Sequence, residues 1–215
     1  MRIKTIASFI EKANVCVDVG SDHAYLSLLL VENNKSNIVY NIEKNPQPLQ
    51  NSINNTKQYS NKIFNILSDG FKSFDNSIDI DYCVIAGMGA TTIIEILSKC
   101  LNNVKYYIIC ANNGYDKLRE WIKNNKFKIY NETTILENNI YYEIICFSKL
   151  KGKKLIFKKD IEFGIRKIKK LDKYYIDKLK AELLKKDYES LKEKNKNLYK
   201  KCKRIERYIE KYGTY

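Results

Sequence analysis

The stretch Val17-Asp18-Val19-Gly20-Ser21-Asp22-His23-Ala24 decides the fold of this chain, because it joins a buried strand to a helix through a single glycine. The compact apolar run Val15–Val19 ends at Gly20, and a segment with helical character, Ala24–Glu32, follows. Gly20 permits a tight turn and a close approach of the backbone to a ligand. The helix behind it offers unpaired N–H groups. The stretch therefore predicts a ligand-binding strand–turn–helix unit in an α/β sheet.

Strand and helix signals alternate outward from this unit. A leading helix is predicted at Thr5–Lys12. The further predicted strands are Asn37–Ile42, Ile63–Leu67, Tyr82–Ala86 and Val104–Cys110. The further predicted helices run from Pro46 to about Tyr59, over Thr92–Leu101 and over Asp116–Lys123. This order predicts a parallel sheet with helices on both faces. The last two strand-like runs, Phe127–Leu136 and Ile140–Leu150, are too close for a parallel crossover and predict a hairpin. A seven-stranded sheet of this kind is typical of the α/β class I, Rossmann-like methyltransferases.

Positive charge is concentrated at the C-terminal end. Residues 1–150 carry 16 Lys and Arg against 15 Asp and Glu, whereas residues 151–215 carry 23 against 10. A concentrated positive field attracts polyanions such as RNA, DNA or an anionic membrane. A solvated lysine-rich surface is the alternative interpretation. From about Phe163, apolar residues recur mostly at three- and four-residue steps, which predicts two antiparallel amphipathic helices that form a short coiled coil.

Candidate ligand-binding residues follow four successive predicted strands, at the edge where open α/β sheets bind ligands. The acidic Asp22 disfavours a pyrophosphate and is compatible with a cationic sulfonium cofactor. Glu43 can accept from two ribose hydroxyls, Asp69 can bond an adenine amino group, and Met88 can pack on the adenine or the methyl donor. The predicted S-adenosylmethionine site comprises Asp18, Gly20, Ser21, His23, Glu43, Lys44, Asp69, Gly70, Ala86, Gly87 and Met88.

Structural interpretations of the same residues remain open. Asp22 is also suited to cap the following helix, Glu43 to be a surface residue, and Asp69 to belong to a simple turn. His23 is the only histidine, and a structural role for it is the commoner one. Tyr25 is as well suited to packing as to binding.

Two strings resemble those of a known family. Val19-Gly20-Ser21-Asp22-His23-Ala24-Tyr25-Leu26 and Ile85-Ala86-Gly87-Met88-Gly89 are similar to the bacterial tRNA (adenine-22-N1)-methyltransferases, and the resemblance spans nearly the whole chain. Ser27 replaces the proline usual there, Ala90 replaces a glycine, and Cys110-Ala111-Asn112 replaces Gln-Pro-Asn. The resemblance implies a catalytic domain at residues 1–155 that uses S-adenosylmethionine. It also implies a basic coiled-coil domain at residues 156–215 that binds tRNA.

The implied reaction is methylation of adenine N1, whose lone pair needs no base to create the nucleophile. Positioning is therefore expected to dominate. Asp22 is the first catalytic candidate, because a carboxylate stabilises the developing positive charge, and Asn112 is the second, as a hydrogen-bonding partner of the adenine edge. The predicted substrate-binding residues are Tyr25, Gly89, Lys167 and Lys170, and Tyr25 or His23 would stack on the unstacked base. Methylation of another RNA base, or a catalytically silent RNA-binding module, remains an alternative.

Composition excludes several other classes. No apolar run approaches the ~20 residues needed to cross a bilayer, and the N-terminus lacks the apolar core of a secretory signal. The six cysteines are scattered, with no CxxC and one histidine to complete a metal site. We therefore expect a cytoplasmic protein that binds neither metal nor membrane, and we expect it to be a monomer.

Overall fold

The structure is a computed structural model that describes residues 1–75, 77–99, 103–165, 173–184 and 195–213. Its strands are β1 (Ala13–Val19), β2 (Ser36–Glu43), β3 (Ile63–Leu67), β4 (Ile80–Ala86), β5 (Val104–Cys110), β6 (Lys128–Glu137) and β7 (Ile140–Ser148). Its α-helices are α1 (Arg2–Ser8), α2 (Tyr25–Glu32), α3 (Pro46–Thr56), α4 (Ala90–Ser98), α5 (Tyr115–Asn124), α6 (Lys158–Phe163), α7 (Lys173–Leu184) and α8 (Lys196–Tyr212). None of these helices is long and apolar enough to cross a membrane.

The strands form a seven-stranded sheet in the order β3-β2-β1-β4-β5-β7-β6. β1 to β5 are parallel, and β7 pairs antiparallel with both β5 and β6. This confirms the predicted parallel core and its closing hairpin. Because β1 pairs with β2 on one side and β4 on the other, the chain reverses its winding direction beside β1, and a crevice opens at the carboxyl ends of the two strands.

The closing hairpin turns at the two residues that the sequence indicated. Asn138 and Asn139 both adopt positive φ angles, 51° and 60°. Two left-handed residues in succession match the right-handed twist of the flanking strands, and asparagine tolerates this conformation better than most residues. The turn therefore follows from local chemistry.

Some helix boundaries differ from the predicted ones because tertiary contacts intervene. The predicted leading helix extended to Lys12, but α1 ends at Ser8. The ammonium group of Lys35 donates to the carbonyl oxygens of Ala7 and Ile10 at 2.7 and 2.8 Å, so a distant side chain satisfies the end of the helix. α3 ends at Thr56, and a single 3₁₀ turn completes the segment predicted as helix.

Apolar side chains pack on both faces of the sheet. On one face, Ile6 of α1 and Leu30 of α2 pack with Val39 and Val84. On the other face, Ile93 of α4 and Leu118 of α5 pack with residues that include Val17, Ile85 and Ile109. The central strands are thus buried on both sides, which explains their nearly continuous apolar sequence.

The C-terminal helices pack against each other in antiparallel fashion. Tyr175, near the start of α7, contacts Tyr208 of α8 with ring centroids 6.1 Å apart, and Leu179 joins Ile205 in the same apolar cluster. Phe163 of α6, a helix that the sequence analysis did not predict, stacks on Tyr208 at 4.4 Å. The predicted helical pair is present in the described residues, whereas its coiled-coil character and the division of the chain at residue 155 stay predictions.

A buried ionic cluster connects this helical pair to the sheet. Arg119 of α5 is 1% exposed and forms ion pairs with Glu132 of β6, at 2.8 Å, and with Glu143 of β7. Lys178 of α7 reaches the other oxygen of Glu143 at 2.5 Å. Glu132 also accepts the backbone N–H of Ile165 at 2.7 Å. The sequence did not indicate this cluster, because all four contacts join residues distant in sequence.

Removing the central cation of this cluster is expected to destabilise the fold. Arg119→Met leaves two buried carboxylates without a full partner, so the free energy of unfolding should fall by about 3 kcal/mol. Urea denaturation followed by circular dichroism measures the change. The control is Lys105→Met, which breaks the ion pair of Lys105 with Asp81 at the surface and should change stability little. Equal stability of Arg119→Met and the wild-type protein would contradict the structural role of the cluster.

Candidate active site at the carboxyl edge of the sheet

Residues that follow β1 to β4 line one cavity of about 190 Å³. Gly20 follows β1, Glu43 ends β2, Asp69 follows β3 and Met88 follows β4. The cavity is thus assembled by the parallel strands, whose carboxyl ends lie at the same edge of the sheet. Lys44 and Gly70 of the predicted set also line it.

Gly20 allows the first loop to pass directly beside Met88. Its φ angle is +82°, which favours glycine, and its N–H donates to the carbonyl oxygen of Ile42 at 2.8 Å. A Cβ atom at this position would lie 2.3 Å from Cε of Met88. A side chain at position 20 would therefore both strain the backbone and displace Met88.

Glu43 is held in the cleft by the backbone that follows it. Its Oε1 atom accepts from the N–H groups of Lys44 and Asn45 at 2.8 and 3.2 Å, and the residue is 8% exposed. Oε2 has no hydrogen-bonding partner among the described residues. The carboxylate is therefore oriented by one oxygen and offers the other to a ligand, which argues against the interpretation of Glu43 as a plain surface residue.

Asp69 stands at the outer end of the same cavity. Its carboxylate accepts from Lys72 at 2.5 Å and lies 3.4 Å from the ammonium group of Lys44. These two hydrogen bonds and the two charges hold the pKa of Asp69 below its usual range. The side chain is 43% exposed, so the pairs are screened by water and exchange readily.

A second, wider cavity of about 560 Å³ opens on the other side of Met88. It shares Gly20, Glu43 and Met88 with the first cavity, and it is lined by further residues of the predicted set, namely Asp18, Ser21, Asp22, His23, Tyr25, Ala86 and Gly87. Arg2, Ile3 and Ile6 of α1 also line it. The sequence analysis missed these three, since no local signal shows that the leading helix returns to the end of β1.

Asp18 is a buried acid beside this second cavity. Burial raises its pKa to about 6, the Ser21 hydroxyl opposes the rise, and the nearby Glu43 adds to it. The Ser21 hydroxyl itself is also buried. A buried carboxylate beside a buried hydroxyl is suited to receive a cationic group with N–H donors.

The mouth of this cavity is formed by Asp22 and His23, in the loop between β1 and α2, and by Tyr25, the first residue of α2. The rings of His23 and Tyr25 stack with centroids 5.2 Å apart, and Nε2 of His23 lies 3.4 Å from Oδ2 of Asp22. Ala24 between them adopts a left-handed φ of 57°. Tyr25 is 57% exposed, so the interpretation of this residue as a packing residue is wrong.

The alternative role of Asp22 as a helix cap is also wrong. The residue that caps α2 is Ala24, and no side chain there accepts a capping hydrogen bond. The carboxylate of Asp22 is 62% exposed and lies next to His23 instead. Asp22 is therefore available at the surface of the cavity.

Asn112 is hydrogen-bonded to the Gly87–Gly89 loop. Its Nδ2 atom donates to the carbonyl oxygen of Gly87 at 2.6 Å, and its backbone N–H donates to the carbonyl oxygen of Met88 at 2.8 Å. Gly89 is closely approached by Asn113, since a Cβ there would lie 3.3 Å from Oδ1 of Asn113. The two catalytic candidates do not line the same cavity. Lys167 and Lys170 lie outside the described residues.

Comparisons with known proteins identify the family. A sequence model of the tRNA (adenine(22)-N(1))-methyltransferase family matches residues 16–214. The chain belongs to this family. The resemblance carried by the Gly20–Leu26 string is thereby confirmed, and the chain is a class I, Rossmann-like methyltransferase.

Individual relatives of this methyltransferase support the assignment. A Mycoplasma pneumoniae protein described as a tRNA methyltransferase is 31% identical over 154 residues, which cover 70% of this chain and 72% of the relative. The structure of M. capricolum TrmK with S-adenosyl-homocysteine has 31% identity and a TM-score of 0.88, with 99% and 98% of the two chains covered. Streptococcus pneumoniae Sp1610 with S-adenosyl-L-methionine has 29% identity and a TM-score of 0.86, with 96% and 97% covered.

The raised pKa of Asp18 predicts a pH dependence of stability. The carboxyl ionises near its ordinary pKa of 3.8 in the unfolded chain and near 6 in the fold. The unfolded state therefore loses its proton first as the pH rises, and the methyltransferase should lose roughly 3 kcal/mol of stability between about pH 4 and pH 6. Urea denaturation without ligand, at several pH values, measures this. Asp18→Asn should flatten that loss, and an unchanged pH profile in the variant would refute the assignment to Asp18.

Proposed function

We propose that this methyltransferase transfers a methyl group from S-adenosyl-L-methionine to N1 of adenine 22 in tRNA. The observation that carries this proposal is the shared cleft, in which Gly20, Glu43 and Asp69 line one cavity and Gly20 and Glu43 also line the next. Family membership supplies the acceptor, and the cleft supplies a place for the cofactor beside a loop that can receive a base. A catalytically silent module is disfavoured, because the residues predicted to bind the cofactor are present and line a shared cleft.

The cleft fits the cofactor by its donor set. Bound S-adenosyl-L-methionine would supply an electrophilic methyl group on a positively charged sulfur. Glu43 would bind the ribose hydroxyls through Oε2, and Asp18 with Ser21 would receive the ammonium group. Asp69 would exchange one lysine contact for the adenine amino group. The glycine at position 20 leaves the space that a close-fitting ligand needs.

The acceptor adenine would enter the wider cavity past the exposed ring of Tyr25. The stacked pair of His23 and Tyr25 offers an aromatic face to a base that has left its stack. N1 of neutral adenine carries a lone pair, so the main contribution of the protein is to align that atom with the methyl donor. Without a base to assist attack, orientation is expected to set the rate.

Charge stabilisation is the second contribution that we propose. Methylation at N1 makes the ring cationic until a proton leaves N6. The carboxylate of Asp22, exposed at the cavity mouth, would stabilise this charge. Asn112, which binds the carbonyl of Gly87 at the border of this cavity, would accept from N6 through Oδ1, since its Nδ2 already donates to Gly87. The proton then passes to solvent.

The basic C-terminal part, residues 156–215, would hold the tRNA. In its described residues, Lys and Arg side chains of α6, α7 and α8 outnumber the acidic ones, and phosphate contacts of this kind provide affinity with little sequence information. Lys167 and Lys170 belong to the same proposed surface. We also propose that the enzyme acts in the cytoplasm as a monomer, with no metal. The described residues hold no group of three or more side chains placed to bind one.

The direct test is methyl transfer to an unmodified transcript. The protein is incubated with labelled S-adenosyl-L-methionine and a tRNA that carries adenine at position 22, and the modified nucleotide is mapped by mass spectrometry. We expect one methyl group at N1 of that adenine. A transcript with guanine at position 22 is the matched control and should remain unlabelled. Label at another nucleotide would support the alternative acceptor, and no label would refute the proposal.

Asp22→Ala tests the charge-stabilising role. We expect kcat to fall about 100-fold, which corresponds to the loss of one electrostatic contact to the transition state. The dissociation constant for S-adenosyl-L-methionine, measured by calorimetry, should change little. Asp116→Ala, which alters another exposed acid, is the control and should leave kcat nearly unchanged. A near wild-type rate in Asp22→Ala with normal cofactor binding would show that the role is wrong.

A further inference from the structure

Side chains of α3 bind the backbone of the loop between β1 and α2. Ser52 Oγ donates to the carbonyl oxygen of Ser21 at 2.5 Å and lies 3.4 Å from that of Asp22. One turn later, Asn55 Nδ2 donates to the carbonyl oxygen of His23 at 3.1 Å. Three successive carbonyls of the loop thus face one helix, and the loop's own side chains are left to project toward the second cavity.

Ser52, whose hydroxyl binds this loop, is connected through its backbone carbonyl to a longer chain of polar side chains. Thr56 Oγ1 donates to the carbonyl oxygen of Ser52 at 2.7 Å and accepts from Asn65 Nδ2 at 2.9 Å. Asn65 Oδ1 accepts from Asn41 Nδ2 at 2.9 Å, and Asn41 Oδ1 accepts from the hydroxyl of Ser27. These hydrogen bonds connect α2 through β2 and β3 to α3, and α3 in turn binds the loop.

Most of this polar chain is removed from water. Ser27, Asn41 and Ser52 have no exposed surface, and Thr56 is 1% exposed. A buried polar group stabilises the fold little, and apolar side chains of the same shape would serve as well or better. A fully satisfied network does fix one arrangement, because each member loses its partner if another moves. The chain of polar side chains ends at the loop that carries Asp22, which indicates that its role is to fix the geometry of that loop.

We propose that Ser52, Asn55 and Thr56 are positioning residues for methyl transfer. They act through the loop backbone and touch neither cofactor nor base. This inference rests on the proposed function and adds that α3 fixes the position of the loop that would contact the acceptor base.

The segment that leads into α3 also orients Glu43, whose carboxylate is proposed to bind the cofactor. α3 begins at Pro46, and the two residues before it, Lys44 and Asn45, donate their N–H groups to Glu43. One rigid element therefore fixes the distance between the ribose-binding carboxylate and the acceptor loop. An error in the placement of either would misalign the reacting atoms, and such errors of about 1 Å can cost up to 10²-fold in rate.

Two neighbouring asparagines of α3 provide a matched pair of variants. Asn55→Ala removes the hydrogen bond to His23, whereas Asn54→Ala removes an exposed side chain that accepts only from Gln50 among the described residues. We expect kcat to fall about tenfold in Asn55→Ala, with KM for S-adenosyl-L-methionine changed less than about twofold. Asn54→Ala should behave as the wild-type protein. Equal kcat values in the two variants would overturn the inference.

Thr56 supplies a test by rescue. Thr56→Val keeps the shape but removes the hydroxyl, and Thr56→Ser keeps the hydroxyl but removes a methyl group. We expect a lower kcat in Thr56→Val and near wild-type kcat in Thr56→Ser. The reverse order would show that packing, and not the polar chain, matters at this position.

A readout independent of activity separates this inference from the proposed function. Amide hydrogen exchange in residues 21–25 should quicken in Asn55→Ala and in Thr56→Val, and not in Asn54→Ala. Quickened exchange in a protein that never methylates tRNA would refute the proposed function and leave the holding role of α3 standing. Unchanged exchange would overturn the inference even if the wild-type enzyme methylates tRNA.

Discussion

The cleft depends on one steric constraint, the passage of the backbone past Met88 at Gly20. The left-handed conformation of that residue turns the chain from β1 into the loop that precedes α2. The missing side chain lets Met88 lie against the loop, so the two cavities meet there. Sheet order places this contact at the crevice between β1 and β4, where ligands bind in open α/β sheets. Cofactor and acceptor can therefore meet where the two cavities join, beside Met88.

Electrostatics divide the molecule into two parts with different tasks. In the cleft, Asp18 and Glu43 are buried acids that suit a cationic ligand with hydroxyl groups, and Asp69 is balanced by two lysines. The C-terminal part carries most of the excess positive charge and suits a polyanion. The buried Glu143 joins the two parts, because it pairs with Arg119 of α5 and with Lys178 of α7. A cation-binding cleft and an anion-binding surface can thus coexist in one small enzyme without cancelling each other's field.

Much of the fold could be predicted from the sequence because its signals are local. Continuous apolar runs predicted the buried parallel strands, and β3 and β5 were predicted to the residue. The end of α1 was not, since it is set by Lys35, which lies in the loop before β2. Within the site, the string from Gly20 to Leu26 indicated the family, whereas the contribution of α1 to the cavity has no local signal. The polar chain of Asn41 and Asn65 was missed for the same reason.

The sequence by itself determined the element order, the loops at the carboxyl ends of the parallel strands and the basic C-terminal end. Each of these follows from neighbouring residues, whose spacing, backbone preferences and charge act over a few positions. Only the tertiary structure decided that Met88 meets Gly20, that α3 grips the loop of Asp22, and that Arg119 pairs with Glu132 and Glu143. Those contacts join residues on different elements. Their partners are chosen by packing and by the need to satisfy buried polar groups, which no local pattern encodes.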